Sequence, residues 1–325
     1  MTLDRGVRGL IRLGARVPFG VVAAPRRPVV LMYHGVPTRS TAGVDGAVFE
    51  EHVVYLKQHF TTVAPDDIEN RRRPLERCRV LLTFDDGFRN NLTVVAPILR
   101  KYDVPAMFFV CSRHAVSGKY LWFSYLRALE AHFPGNALSF RGASLDLSAA
   151  KRRESVERLS QILLALTPHP AAMYDAIERE LPRLEDFVSD EDLADRYAGL
   201  TAEQVAELDR DPLFTVGNHT SDHPLLTRCE PGEALRQMRD NREWVERLCG
   251  RRCDVIAYPG GDYNADVLSS CRAAHHARGY SVSPYVHGDP DFEIPRLGIY
   301  SPSVDALGFK VYWGTLIRSM GVAIG

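Results

Sequence analysis

Val80-Leu81-Leu82-Thr83-Phe84-Asp85-Asp86-Gly87 is the stretch whose reading decides the fold class. Val80–Phe84 is an apolar run of strand length without polar alternation, the pattern of a strand buried on both faces. It ends at two adjacent carboxylates and a glycine. Upstream, Pro28-Val29-Val30-Leu31-Met32-Tyr33-His34 reads the same way, with Gly35 and Pro37 as the turn that follows. Between the two runs, Phe49, Val53, Leu56 and Phe60 recur at helical spacing. Downstream, Leu92–Tyr102 reads as a helix and Ala106-Met107-Phe108-Phe109-Val110 as a third strand. Strands alternating with helices, each strand continuously apolar, predict a parallel α/β architecture.

From about residue 112 to 200 the rhythm breaks. The pattern there is mostly helical, with charged runs such as Lys151-Arg152-Arg153-Glu154, and it reads as a helical insertion into the α/β frame. The alternation then resumes. Thr201-Ala202-Glu203-Gln204 has the form of a capping box, and Phe214–Gly217 is a short strand. A long helix is expected over about 231–249 with Gly250 as its C-cap. Val255–Tyr258 is another strand, running into Pro259-Gly260-Gly261. Polar groups sit directly after four apolar strands: His34, Asp85 with Asp86, His219 with His223, and Pro259–Gly261. In α/β barrels and sheets the C-terminal strand ends converge on one face, where sites are built.

The chain has 325 residues, 45% of them hydrophobic and 25% charged, which fits a globular protein and argues against disorder. A net charge of −1 gives no reason to expect a nucleic-acid partner. The six cysteines show neither a disulfide-framework spacing nor paired CxxC motifs, so reduced thiols in a cytoplasmic protein are expected. No apolar run reaches the ~18 residues of a membrane-spanning helix. Residues 1–27 form a basic amphipathic segment: Arg5, Arg8, Arg12 and Arg16 fall on one helical face and Leu3, Val7, Leu10 and Ile11 on the other. Such a segment suits peripheral contact with the inner membrane face; a docking helix with a solvated arginine face is the other reading.

The chemistry follows from the strand ends. Asp85 and Asp86 offer a base and an oxygen ligand, although an Asp-Gly turn alone would carry no function. In Asn218-His219-Thr220-Ser221-Asp222-His223 two imidazoles at i, i+4 spacing reach one ion if the segment makes a helical turn. With one carboxylate they form an Asp-His-His set that leaves coordination positions for water and substrate. Zn²⁺ suits these donors best, and Fe²⁺, Co²⁺, Mn²⁺ or Ni²⁺ also fit. Gly260 permits close approach of its N–H to a developing oxyanion, with Tyr258 beside it. Arg296 in Ile294-Pro295-Arg296-Leu297 is either a surface charge or the partner of a buried carboxylate. The remaining histidines form no comparable constellation.

Thr83-Phe84-Asp85-Asp86-Gly87 resembles the TFDDG motif of the polysaccharide deacetylases, the NodB-homology carbohydrate esterases. His219-Thr220-Ser221-Asp222-His223 resembles the H-[ST]-x-x-H motif of that family, and Ala257-Tyr258-Pro259-Gly260-Gly261 is similar to its third motif. The resemblance implies a distorted (β/α) barrel of about seven strands. It also implies Asp85 as catalytic base and Asp86, His219 and His223 as metal ligands. Its substrates would be N- or O-acetylated sugars of chitin, peptidoglycan or exopolysaccharide. This chain departs from the pattern in three places. Ala257 stands where many members carry arginine, which makes Arg296 the expected partner of Asp85. Gly260 replaces an aromatic residue. The late Leu-x-His motif that supplies the general acid is missing, and members that begin with a YH-containing strand are similar at Tyr33-His34. There the histidine takes the acid's place from the opposite end of the chain.

The expectation is therefore a catalytic domain over 28–325, with its insertion, that hydrolyses the N-acetyl group of an amino sugar in a glycan or a lipid-linked precursor. Deformylation or O-acetyl ester cleavage would use the same residues. A catalytically inactive carbohydrate- or partner-binding module is the reading from another class. The oligomeric state is not encoded in any motif.

Overall fold

The computed structural model describes residues 28–40, 43–69, 77–282 and 288–320, with side chains as far as Tyr312. The basic amphipathic segment 1–27 lies outside the described residues. Eight parallel strands make the main sheet: β1 (Val29–Tyr33), β2 (Thr61–Thr62), β3 (Arg79–Phe84), β4 (Ala106–Val110), β7 (Phe214–Asn218), β8 (Val255–Ala257), β9 (Arg278–Ser281) and β10 (Ile294–Gly298). An antiparallel hairpin supplies β5 (Ala137–Phe140) and β6 (Ala143–Asp146). The order β1-β10-β9-β8-β7-β4-β3 closes on itself because β1 also pairs with β3, from Val29 opposite Val80 to Tyr33 opposite Phe84. The result is the distorted seven-stranded (β/α) barrel. Strand β2 sits outside the ring, pairing only with the first residues of β3.

Strand alternation sorts the side chains. Val30, Leu81, Met107, Phe109, Ala257, Tyr280 and Ile294 fill the barrel interior, so it is a packed core and not a pore. Leu82, Phe84, Phe108 and Val216 point outward and pack under helices such as α1 (Gly46–His59) and α2 (Ala96–Lys101). A π-helical turn over Asn91–Val95 precedes α2 where a continuous helix was expected. That turn carries Asn91 to the C-terminal end of β1, where its amide donates to the His34 carbonyl at 3.1 Å.

Between β4 and β7 the chain leaves the barrel. After a short helix α3 (Ser112–Ser117), helices α4 (Trp122–His132), α5 (Arg152–Leu164) and α6 (Pro170–Glu180), with the hairpin, enclose a separate core that includes Tyr125, Leu129, Phe140, Leu159 and Met173. The hairpin is the part the helical expectation missed. Its two-residue turn, Arg141 at φ 48° and Gly142 at φ 78°, is the left-handed type that matches strand twist. Past β7's preceding helix α7 (Ala202–Arg210), whose Thr201–Gln204 capping box forms as expected, comes α8 (Pro231–Cys249), ended by Gly250 in the left-handed conformation. Helix α9 (Ala265–Ala273) joins β8 to β9, and α10 (Val304–Met320) closes the chain as described. None of the described helices is long and apolar enough to cross a membrane.

Candidate active site

Asp85 continues the inward series Leu81, Thr83, and its N–H still donates to the Tyr33 carbonyl at 3.0 Å. A further extended residue would turn Asp86 outward. Instead Asp86 and Gly87 take φ of 74° and 73°, and the sharp turn brings the second carboxylate back to the same mouth of the barrel. A left-handed aspartate costs about 1–3 kcal/mol and persists only where its surroundings impose it, and such strain concentrates at functional sites. Glycine suits position 87, since φ of 73° disfavours any side chain and a Cβ there would crowd Val110 at 3.2 Å.

The two carboxylates meet different neighbours. Asp85 is gripped by Arg296 from β10: Nη1 donates to Oδ1 at 2.6 Å and Nη2 to Oδ2 at 2.8 Å, with both side chains buried. The guanidinium lies over the Phe109 ring and also reaches Thr83 Oγ1. Burial alone would raise the Asp85 pKa, but Arg296 and then His219 outweigh it and hold the carboxyl below the usual range. Asp86 is 1% exposed, and neither oxygen has a hydrogen-bond donor among the described residues. Its nearest polar neighbours are His219 Nε2 and His223 Nε2, each 3.4 Å from Oδ1.

That geometry fits a metal. Ligands at about 2.0–2.1 Å from a tetrahedral ion stand about 3.3 Å apart, and these three donor atoms all lie within 4.8 Å of one another. A buried carboxylate whose contacts to its neighbours are as long as 3.4 Å is well placed to take a cation between them. His219 Nδ1 bonds the Ala257 carbonyl at 2.8 Å, which leaves Nε2 directed at Asp86. Burial pushes the His223 imidazole down to about 3, so it is neutral and its nitrogen lone pair is available. Burial acts the same way on His219, but Asp85 and Asp86 reverse it and raise its pKa. The negative charge responsible is what a bound cation would neutralise.

The histidine segment is not a helical turn. Thr220 and His223 take φ of 66° and 52°, and the i, i+4 pair converges through a loop with its rings 4.8 Å apart. Side chains with no assigned role in the sequence hold that loop. Asn218 Oδ1 accepts from Thr220 N and Asn241 Nδ2, both at 2.7 Å, and Asp222 N donates to Gln237 Oε1 at 2.8 Å. Gln237 and Asn241 are fully buried and one turn apart on α8. Uncharged polar residues on the buried stripe of a helix were the available signal. The β4–β7 excursion braces the other side: Trp122 Nε1 donates to the His223 carbonyl at 3.0 Å, and Tyr174 OH donates to the Asp222 carbonyl at 2.8 Å. Phe123 packs its ring 4.7 Å from that of His223.

His34 stands at the end of β1, its ring stacked on Tyr300, and its charge contributes to lowering both Asp85 and Asp86. Gly260 is exposed on the adjoining rim at φ 63°, where a side chain would press on Leu225 at 3.1 Å. Tyr258 requires a correction. Its side chain is fully buried on the outer side of β8, and its hydroxyl donates to the Phe292 carbonyl at 3.0 Å. The alternation that turns Ala257 inward turns Tyr258 out, so only its backbone borders the site.

Comparison with known proteins converges on one group. Residues 72–137 and 170–278 match the family model for polysaccharide deacetylase, leaving out 138–169, which holds most of the hairpin and α5. YxkH of Bacillus subtilis (strain 168), described as a polysaccharide deacetylase, is 20% identical over 265 residues, 80% of this chain. The peptidoglycan-N-acetylmuramic acid deacetylase PdaC of the same organism is 39% identical over 57 residues, 18% of this chain. The chain spans 66% of the length of YxkH and 12% of PdaC. Among solved structures, IcaB from Ammonifex degensii superposes with a TM-score of 0.55 at 18% identity, covering 90% of this chain and 98% of that one. The Streptococcus pyogenes deacetylase PplD, solved with acetate, gives 0.52 at 18%, covering 86% and 96%. At these identities the structural likeness speaks for the fold.

Proposed function

The chain belongs to the polysaccharide deacetylase family, and from that premise we propose that it is a metal-dependent N-deacetylase acting on an amino sugar of a glycan or glycan precursor. One observation carries the reading: a buried carboxylate fixed at both oxygens by Arg296 lies beside a second carboxylate that stands 3.4 Å from two imidazole nitrogens.

Asp86, His219 and His223 would hold a divalent cation, with Zn²⁺ the best match to the donors. When bound, such an ion supplies Lewis-acid polarisation of the water and the acyl carbonyl, which lessens the basicity demanded of the carboxylate. The rest is the work of the chain. Asp85 stays ionised at neutral pH and takes a proton from the attacking water as the water oxygen bonds to the carbonyl carbon. Arg296 sacrifices some of that basicity for orientation, since two parallel N–H bonds fix the plane of the carboxylate. The Gly260 N–H donates to the oxyanion that develops. His34 gives its proton to the nitrogen as the C–N bond breaks, releasing acetate and an amine. The Asp85→Asn substitution keeps the shape of the site and removes the proton acceptor.

The test is acid release from metal-loaded protein offered N-acylated oligosaccharides and lipid-linked N-acylamino sugars, measuring acetate and formate together. Chelator-sensitive acetate release is expected, falling about 10²–10⁴-fold in Asp85→Asn while metal content is unchanged. Formate instead of acetate would make the enzyme a deformylase, and acetate from O-acetyl sugars alone would make it an esterase. An Asp85→Asn protein that no longer binds metal would overturn the division of roles between the two carboxylates. Full metal occupancy with no acid from any substrate would favour a binding module.

A further inference from the structure

A cleft of about 390 Å³ opens beside His34. It is large enough for a sugar-sized ligand. Its walls include aromatic and cationic side chains, Phe88, Tyr197 and Tyr300 with Arg127 and Arg196, and among the described residues no aspartate or glutamate lines it. Tyr300, although 62% exposed, is held by its stacking on His34, with ring centroids 5.9 Å apart. Arg196 is fixed from behind by Asp192 at 2.8 Å and the Arg39 carbonyl at 2.9 Å. Arg127 is different. Its guanidinium sits 5.1 Å over the Phe123 ring, and among the described residues no carboxylate lies within ion-pair distance of it. Phe123 also packs on His223, so Arg127 is tied through one ring to the ligand loop.

We propose that this cleft is a substrate subsite for an anionic group, a carboxylate or phosphate carried on the sugar being deacetylated or on its neighbour, with Arg127 as the recognising residue. The inference rests on the deacetylase reading. A guanidinium presents a planar fork of donors that matches carboxylate and phosphate oxygens. Placed over an aromatic ring and free of a carboxylate partner, it keeps that fork available. The two halves of the site also set a direction. Asp85 is already paired with Arg296 and Arg196 with Asp192, so among the described residues Arg127 is the guanidinium lining the cleft that is left to attract an anion. A substrate with an anion at one end would enter with its acyl group toward the carboxylates and its charge in the cleft. Tyr300 lines the cleft beside His34, with the Lys310 ammonium 5.8 Å from its ring centroid.

The experiment compares acetate release by the metal-loaded protein from three substrates: the neutral trisaccharide of N-acetylglucosamine, the disaccharide N-acetylglucosaminyl-glucuronate, and N-acetylglucosamine 1-phosphate. One charged substrate is expected to exceed the neutral one in kcat/KM by about tenfold, chiefly through KM, as befits one charge-assisted contact. The arm that responds identifies carboxylate or phosphate. Arg127→Ala should bring the charged-to-neutral ratio near one, and Arg127→Lys should restore part of it. Arg141→Ala, a change on the distant hairpin, should leave the ratio as in the wild type. A wild-type ratio near one, or a ratio that survives Arg127→Ala, overturns the subsite while the deacetylase reading stands. If no substrate releases acetate, calorimetric binding of glucuronate and N-acetylglucosamine 1-phosphate still decides. Binding weakened by Arg127→Ala supports the subsite, and no binding of either overturns it.

Discussion

The barrel mouth and the β4–β7 excursion contain the same ion pair built on opposite terms. At the mouth, Arg296 grips both oxygens of Asp85 with side chains 0% and 3% exposed. At the hairpin, Arg141 donates to both oxygens of Glu180 at 2.8–3.2 Å, with both side chains 38% exposed. In water the second pair exchanges one set of hydrogen bonds for another. Inside the barrel Arg296 has Thr83 Oγ1 as a further, uncharged acceptor and neither charge can turn to water, so each is trapped by the other. Similar geometry thus has different consequences, and the difference lies in what surrounds it. The mouth carries charge where charge is costly and chemistry is done. The excursion keeps its charge on the surface and puts an ordinary apolar core beneath it.

The sharpest way to break that contrast is to remove the arginine from each pair. Arg296→Met leaves an unpaired carboxylate in the barrel and should cost about 3–5 kcal/mol of stability, read from urea unfolding. Turnover should disappear with it. Arg141→Ala should leave the urea midpoint unmoved. If Arg296→Met proved as mild as Arg141→Ala, water must reach Asp85, and a base held in place by burial would be the wrong description.

The same contrast explains how much the sequence disclosed. Continuous apolar strands announced β1, β3, β4, β7 and β8, because burial on both faces leaves no room for polar alternation. The ligand residues stood at their ends. Strands β9 and β10 gave weaker signals. β9 holds Arg278 and Gly279, and β10 carries Pro295, a residue that argues against a strand when read locally. Arg296 nonetheless stood out through the family resemblance, as a substitute for the arginine that many members carry where this chain has Ala257. The left-handed turns at Asp86, Thr220 and His223 were illegible, since aspartate, threonine and histidine do not advertise positive φ as glycine does. The excursion hid its hairpin for a related reason: strands of four residues with one buried face resemble any short polar segment.

Acid offers a second separation of the two regions. His276 is buried against α9, its Nε2 2.8 Å from Asn218 Nδ2, the side chain that also caps the histidine loop. Burial pushes its pKa down to about 4. The unfolded chain therefore binds this proton first, near its ordinary value of 6.5. The associated stability is fully present above pH 6.5 and is lost as pH falls toward 4, about 3 kcal/mol in all. Urea midpoints measured between pH 7 and pH 4 should fall steeply for the wild type and less steeply for His276→Gln. Parallel curves would show that other groups govern acid unfolding, with no special sensitivity at the mouth.

The smallest expected effect asks whether the excursion serves the mouth at all. Tyr174, on α6, donates its hydroxyl to the carbonyl of Asp222, the residue before His223, and accepts from Trp122 N at 3.3 Å. Tyr174→Phe removes that oxygen and little else. If α6 merely completes its own core, stability should fall slightly and metal affinity should not change. If it holds the ligand loop, the left-handed His223 loses a restraint, and the freed loop must be reordered each time a cation binds. A lost hydrogen bond of about 1 kcal/mol then appears as roughly fivefold weaker metal retention in chelator competition. The decisive comparison is with a substitution inside the same core that touches no ligand-loop group, such as Leu159→Val. A brace predicts that Tyr174→Phe loosens the metal while Leu159→Val, although at least as destabilising, does not. Equal loosening in both would reduce the excursion to a passenger on the barrel.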